Sequence, residues 1–333
     1  MGRVAASPAT VGLPRPRGPW SRAVAGTLLG GSEEPSLGHE PDLDDLHLAL
    51  YLAYLPRFRA IPGVDPEVLW HPPLLSLTRR LERYAEDDLR TLLDASAPAG
   101  ERDEDAPISQ RLKARVAAWE ARTPSASSFI AREADEDAIR TFLIEKSAYH
   151  LIEADPHTLA LPRMHGLAKG AFVEIQMDEY GAGDPAQMHQ ALFADVLTGV
   201  GIEPDILALV DRVPGETLAI TTTVTRFASH PSMLGETIGH LAAFEMTSTG
   251  PNARYAQGMR RVFGEDVDAR FFDVHVVADA AHEQIAMADL AGGAVADGLA
   301  TPASILRGAD ACLAVDARAA TRFIDRVTSS LRG

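Results

Sequence analysis

The apolar positions of this chain recur at helical rather than strand spacing. In DDLHLALYLAYL, Leu46, Leu50 and Tyr54 fall at four-residue steps, one stripe of a helix. Pro66 stands where a helix can open. From Leu69 to Leu93 the period runs through Leu74, Leu77, Leu81, Leu89 and Leu92. An acidic stretch ending at Pro107 reads as a loop. Further helices are predicted over Ile108–Arg122, Glu136–Ala154 (ended by Asp155-Pro156), Met164–Tyr180, His189–Gly199, Pro231–Thr247, Arg254–Val262, Asp266–Leu290 and Pro302–Leu331. Short Gly/Pro connectors between them are the signature of antiparallel helix packing. ETLAITTTVTRF (Glu216–Phe227) has the β-branched content of a strand, but no second strand exists for it to pair with, so it is read as helix. Residues 1–40 are rich in Pro, Gly, Ser and Ala without a period and read as a flexible arm. Residues 41–333 read as one all-α domain.

Composition narrows the chemistry. The 333 residues include 31 Lys+Arg, 47 Asp+Glu, 11 His and one Cys, giving a net charge of −16. A single Cys312 excludes an intrachain disulfide scaffold, a Cys-rich zinc site and a cysteine-held iron–sulfur cluster. The acid surplus argues against nucleic acid or an anionic membrane surface as a partner. No run approaches the ~18 apolar residues of a membrane helix. The apolar patch Ala23–Leu29 is too short for a secretory signal, so the cytoplasm is the expected compartment.

Any metal must therefore be held by carboxylate oxygen and imidazole nitrogen. His275, Asp279 and His282 in FFDVHVVADAAHEQIA stand at i, i+4 and i+7, within a sector of about 60° on one helix face. A solvated polar face would be the plain alternative, but Phe271, Val274, Val277 and Ala278 flank the triplet. Glu245 interrupts the apolar run HLAAFEM, where a bare carboxylate costs several kcal/mol unless paired or metal-bound. KGAFVEIQMDEYGAGDPAQMH offers Glu174 and Glu179, about 140° apart, of which one faces inward, and then His189. SAYHLIEADPH adds Glu153. Together Glu153, Glu179, His189, Glu245, His275, Asp279 and His282 supply more ligands than a mononuclear site needs and fit a dimetal site in a helix bundle.

In this order and spacing the residues resemble the haem-oxygenase-like dimetal oxidases and oxygenases, often labelled iron-containing redox enzymes. The stretches EKSAYHLIEADPHTLALPRMHGLAKGAFVEIQMDEYGAGDP, GHLAAFEMTSTGP and FFDVHVVADAAHEQIA carry the likeness, which covers Glu145 to Gly293 and only loosely the N-terminal third. The resemblance implies a haem-oxygenase-like bundle of about seven core helices, with extra N-terminal helices here, and two Fe(II) ions between them. It implies O2 as co-substrate acting on amines, amino acids or fatty acids, commonly in natural-product biosynthesis; a small amino acid or amine is the expected substrate, with desaturation, cyclisation, C–C cleavage or N-oxygenation as outcomes. By position, Glu179, His189, Glu245 and His275 would hold one iron and Glu153, Asp279 and His282 the other, more labile one, with Glu245 able to bridge. The path around Gly181–Pro185 is longer than in some members. Lys146, Lys169, Arg163 and Arg226 are candidate handles for a substrate carboxylate. A homodimer is the default expectation, and an external electron donor is compatible with the chemistry. Two rival readings are a metal-independent enzyme on the same architecture, of the thiamin-salvage or quinone-cofactor-synthesis type, and a non-catalytic helical binding protein.

Overall fold

A computed structural model describes residues 12–31, 38–96 and 105–330, apart from the side chains of Asp279, Ala280 and Ser330. Among the described residues there are helices and no strands. In chain order the α-helices are α1 (Pro19–Leu28), α2 (Leu43–Tyr54), α3 (Pro72–Ser96), α4 (Ile108–Glu120), α5 (Ala126–Arg132), α6 (Glu136–His150), α7 (Asp155–Thr158), α8 (Gly166–Glu179), α9 (His189–Gly199), α10 (Ile206–Val210), α11 (Gly215–Ser229), α12 (Leu234–Met246), α13 (Thr249–Phe263), α14 (Arg270–Gln284), α15 (Gly293–Ala296) and α16 (Pro302–Ser330). A π-helical stretch, Ile285–Gly292, joins α14 to α15. No described helix is long and apolar enough to cross a membrane.

The segment with strand-like composition is the helix at the centre. Every residue of α11 from Thr217 to Ala228 is buried, and the helix packs on α2, α6, α12 and α16. A helix enclosed on all sides needs no polar face, which erases the period that would betray it in the sequence. Its threonines are satisfied locally. Thr225 Oγ1 donates to the Thr221 carbonyl at 2.7 Å and Thr221 Oγ1 to the Ala148 carbonyl at 3.3 Å.

The N-terminal segment departs from the expected arm. Residues 1–11 and 32–37 lie outside the described residues, but Pro19–Leu28 forms α1, with Trp20, Val24 and Leu28 buried in the main core. The reason is tertiary. The Asp45 carboxylate, on α2, accepts the backbone N–H groups of Trp20 at 2.9 Å and Ser21 at 2.7 Å. It caps a helix whose own N-cap is Gly18, without a side chain.

Two other boundaries shift. The predicted Glu136–Ala154 helix stops at His150. Residues 151–154 form a turn in which Ala154 has φ 71°, and Asp155-Pro156 opens α7 instead of only ending α6. The gap expected between Thr247 and Arg254 is short, because α13 starts at Thr249 with Pro251 in its first turn, where a missing N–H costs nothing. Helices α12 and α16 approach closely. A Cβ on Gly239 would overlap the Ile305 carbonyl, and one on Gly308 the Glu236 carbonyl.

Candidate metal centre

The candidate ligands are delivered mostly by helix ends. Glu153 sits in the turn after α6, Glu179 is the last residue of α8, and Glu245 the penultimate residue of α12. His189 is the first residue of α9, and His275 and His282 lie two turns apart on α14. Three carboxylates thus stand at or just beyond the C-terminal ends of helices, where backbone carbonyls already carry negative potential. That arrangement is unfavourable for bare carboxylates and favourable for a cation held between them. Between Glu179 and His189 the chain reverses through Gly181, Ala182 and Gly183, all at positive φ. A Cβ on Gly181 would come within 2.6 Å of the Gln187 and Met188 backbone, so glycine is required to bring the two ligands together.

Two sets of donors converge. In the first, ligand atoms of Glu153, Glu179, His189 and His275 all lie within 4.8 Å of one another; in the second, those of Glu179, Glu245 and His282 do. All six residues are buried. His189 Nδ1 lies 2.9 Å from Glu179 Oε2, His275 Nε2 3.9 Å from Glu153 Oε2 and His282 Nδ1 3.4 Å from Glu245 Oε2. The His189 and His275 rings are 4.2 Å apart, centre to centre. Glu153 Oε2 is buried with no hydrogen-bond donor among the described residues. A carboxylate oxygen facing only other ligands is costly unless a proton or a cation neutralises it. Hard oxygen and imidazole donors suit a first-row divalent metal, so the residues fit iron.

The electrostatics of the metal-free site say the same. Burial pushes the Glu153 carboxyl up to about 8 and raises Glu245 as well. Burial acts in the same sense on Glu179, but His189, by charge and hydrogen bond, together with His275 and His282 holds that carboxyl below its ordinary value. Burial lowers His275. It also opposes protonation of His282, yet the hydrogen bond and charge of Glu245 carry that imidazole up to about 9. Protons therefore occupy positions that a cation would take.

Of the seven residues expected from the sequence, six are brought together. The backbone of Asp279 lies on α14, but its side chain falls outside the described residues. The grouping differs from the one carried over by position. Glu153 joins the set of Glu179, His189 and His275, Glu245 joins His282, and the residue common to both sets is Glu179 rather than Glu245. Glu174 is exposed, so Glu179 is the inward member of that pair.

Three supporting groups are absent from the sequence reading. His150 Nδ1 lies 2.7 Å from Glu153 Oε1. His275 Nδ1 donates to the Phe271 carbonyl at 2.6 Å, which leaves Nε2 as the lone-pair nitrogen facing the site. His282 Nε2 donates to Asp178 Oδ2 at 2.9 Å, which aims Nδ1 at Glu245. The i−3 spacing of His150 to Glu153 was a usable signal. Asp178, 54% exposed and next to Glu179, gave none.

A cavity of about 400 Å³ adjoins the first set. Glu153 and His275 form part of its wall together with His150, Tyr149, Phe244 and Phe271. Behind Tyr149 lies a buried pair of imidazoles, His157 Nε2 and His240 Nδ1 at 3.1 Å. Burial holds both imidazoles well below the ordinary value, His240 at about 3, so both are neutral.

The chain is 26% identical over 151 residues to a nitrosourea synthase of Streptomyces achromogenes subsp. streptozoticus; the match covers 45% of this chain and 32% of that protein, about a third of the relative's length. A family model described as iron-containing redox enzyme, whose fold is haem-oxygenase-like, matches residues 140–317, more than half of the chain and the span that holds every candidate ligand. On the strength of that match, the chain belongs to the iron-containing redox enzyme family.

Proposed function

We propose that the protein is a non-haem diiron oxidase or oxygenase that uses O2 on a small amino acid or amine, in natural-product biosynthesis. The observation that carries this reading is the pair of buried donor sets sharing Glu179 beside a cavity of about 400 Å³. The related nitrosourea synthase, itself named for making a nitrogen-rich small molecule, supports the substrate class. In this reading Glu153, Glu179, His189 and His275 hold one Fe(II), and Glu179, Glu245 and His282 the other. The second set has fewer protein donors among the described residues, in keeping with a more labile ion.

Held by these residues, two ferrous ions would supply the electrons for oxidation of C–H or N–H bonds by O2. The chain's own contributions are orientation and dryness. Phe271 fixes the His275 tautomer through its carbonyl, and Asp178 does the same for His282. Tyr149, Phe244 and Phe271 line the approach to the first set and limit water there.

The test is anaerobic Fe(II) loading followed by O2 exposure with a panel of amino acids and amines, read by oxygen uptake and mass spectrometry. His275→Ala and Glu245→Ala are each expected to abolish iron-dependent O2 consumption while the helical circular dichroism spectrum is retained. Full activity in either variant, or in chelator-treated wild type, would sink the assignment; the second result would favour the metal-independent reading.

A further inference from the structure

Four cationic side chains are candidates on sequence for holding a substrate carboxylate, and tertiary structure separates them. Arg226 is tied to Glu86 at 2.6 Å. Arg163 donates to the carbonyls of Leu159 and Ala228. Neither these two nor Lys169 reaches the cavity, whereas Lys146 is part of its wall. There Lys146 Nζ lies 3.3 Å from Asp316 Oδ1, on α16, and has no second hydrogen-bond partner among the described residues. An ammonium has three donors to satisfy. Of the other charged residues of the wall, Glu145 is held by Arg326 at 2.9 Å and Thr217 at 3.3 Å, Arg254 Nε donates to Ser127 Oγ at 2.8 Å, and Glu120 is exposed.

A lysine and an aspartate paired with each other in a cavity wall, the aspartate 57% exposed, do little for stability, because solvent screens much of their attraction. They do provide one positive and one negative contact side by side. Lys146 lies in the last two turns of α6 and Glu153 in the turn that follows it, and both belong to the wall of the one cavity. Lys146 and Asp316 thus line the same cavity as Glu153 and His275 of the first donor set.

Building on the reading above, we propose that Lys146 and Asp316 are the specificity-determining residues of this cavity. They open their mutual ion pair to take the carboxylate and the ammonium of a free α-amino acid, whose side chain extends toward Glu153 and His275. The occupant is a zwitterion with an extended side chain rather than a fatty acid or a simple amine.

Calorimetric titration of the full chain, without O2 and both with and without Fe(II), tests this with L-lysine, L-arginine and L-norleucine against hexanoate and n-hexylamine. At least one zwitterion is expected to bind at least tenfold more tightly than either single-charge probe. Lys146→Met and Asp316→Asn should each weaken that zwitterion at least tenfold, Lys146→Arg should retain it in part, and Fe(II) stoichiometry should stay unchanged in all three. Hexanoate or hexylamine binding as tightly as the best zwitterion overturns the proposal. So does unchanged zwitterion affinity in Lys146→Met and Asp316→Asn, or the absence of binding by every zwitterion. Zwitterion binding by a chain that takes up no iron would leave the charged handle standing and remove the diiron reading; iron uptake without zwitterion binding would do the reverse.

Discussion

Asp178 shows how a residue without any sequence signal can matter to a buried site. It is half-exposed, and its carboxylate accepts the Nε2–H of His282. Removing such an outer partner commonly costs ten- to a hundredfold in metal affinity. Asp178→Ala is therefore expected to weaken the second of two Fe(II) binding events about tenfold. The first event, which the proposed function assigns to Glu153, Glu179, His189 and His275, should change far less. Anaerobic calorimetry distinguishes the two. Protons compete at the same positions. Glu153 at about 8 and His282 at about 9 both hold protons at neutral pH in the metal-free protein, and a ligand must give its proton up. Metal affinity should consequently rise with pH between about 6 and 8. Fe(II) binding at neutral pH should release protons, measurable as a dependence of the binding heat on buffer ionisation. Binding without proton release would contradict the protonation states assigned to Glu153 and His282.

At the level of helices, periodicity was informative wherever one face met solvent. α3 begins and ends within three residues of where its leucine spacing places it, and α9 matches the range expected for it. It failed at the two extremes of environment. α11, buried throughout, has no polar face to set the period, and its β-branched residues mimic a strand. α1 looked like an arm because its capping group, Asp45, lies 25 positions beyond Trp20 in the chain. Asp45→Ala leaves the α1 N-terminus without its acceptor and should destabilise the fold by about 1–2 kcal/mol. Chemical denaturation would measure this, and the same variant should expose α1 to limited proteolysis. A stability equal to wild type would mean that water replaces the carboxylate at no cost.

For the molecule as a whole, the bundle brings helix ends carrying carboxylates to one point, and that convergence has an energetic consequence. Without a cation the site gathers Glu153, Glu179 and Glu245 at or near helix C-termini in a buried volume. A metal bound only by the folded chain stabilises it by about 2.7 kcal/mol at a hundredfold excess over its dissociation constant. Chelator treatment should thus lower the thermal midpoint, and Fe(II) added anaerobically should restore it; an unchanged midpoint would argue against a metal in the site.

The sequence by itself determined the fold class, the acidic O/N donor chemistry and the identity of the candidate ligands. Those properties rest on local spacing and residue type: His275 and His282 share a face because a helix has a fixed pitch, and Glu245 stands out because it interrupts apolar neighbours. Tertiary structure decided which ligands group together. Glu179 rather than Glu245 is common to both sets, because the left-handed turn at Gly181–Gly183 places His189 beside it and the end of α12 meets α14 at His282. It also decided that Lys146, and not Arg226, faces the cavity. Distances between helix ends are set by how helices cross, and crossing depends on contacts such as Gly239 on Ile305 that lie far apart in the chain.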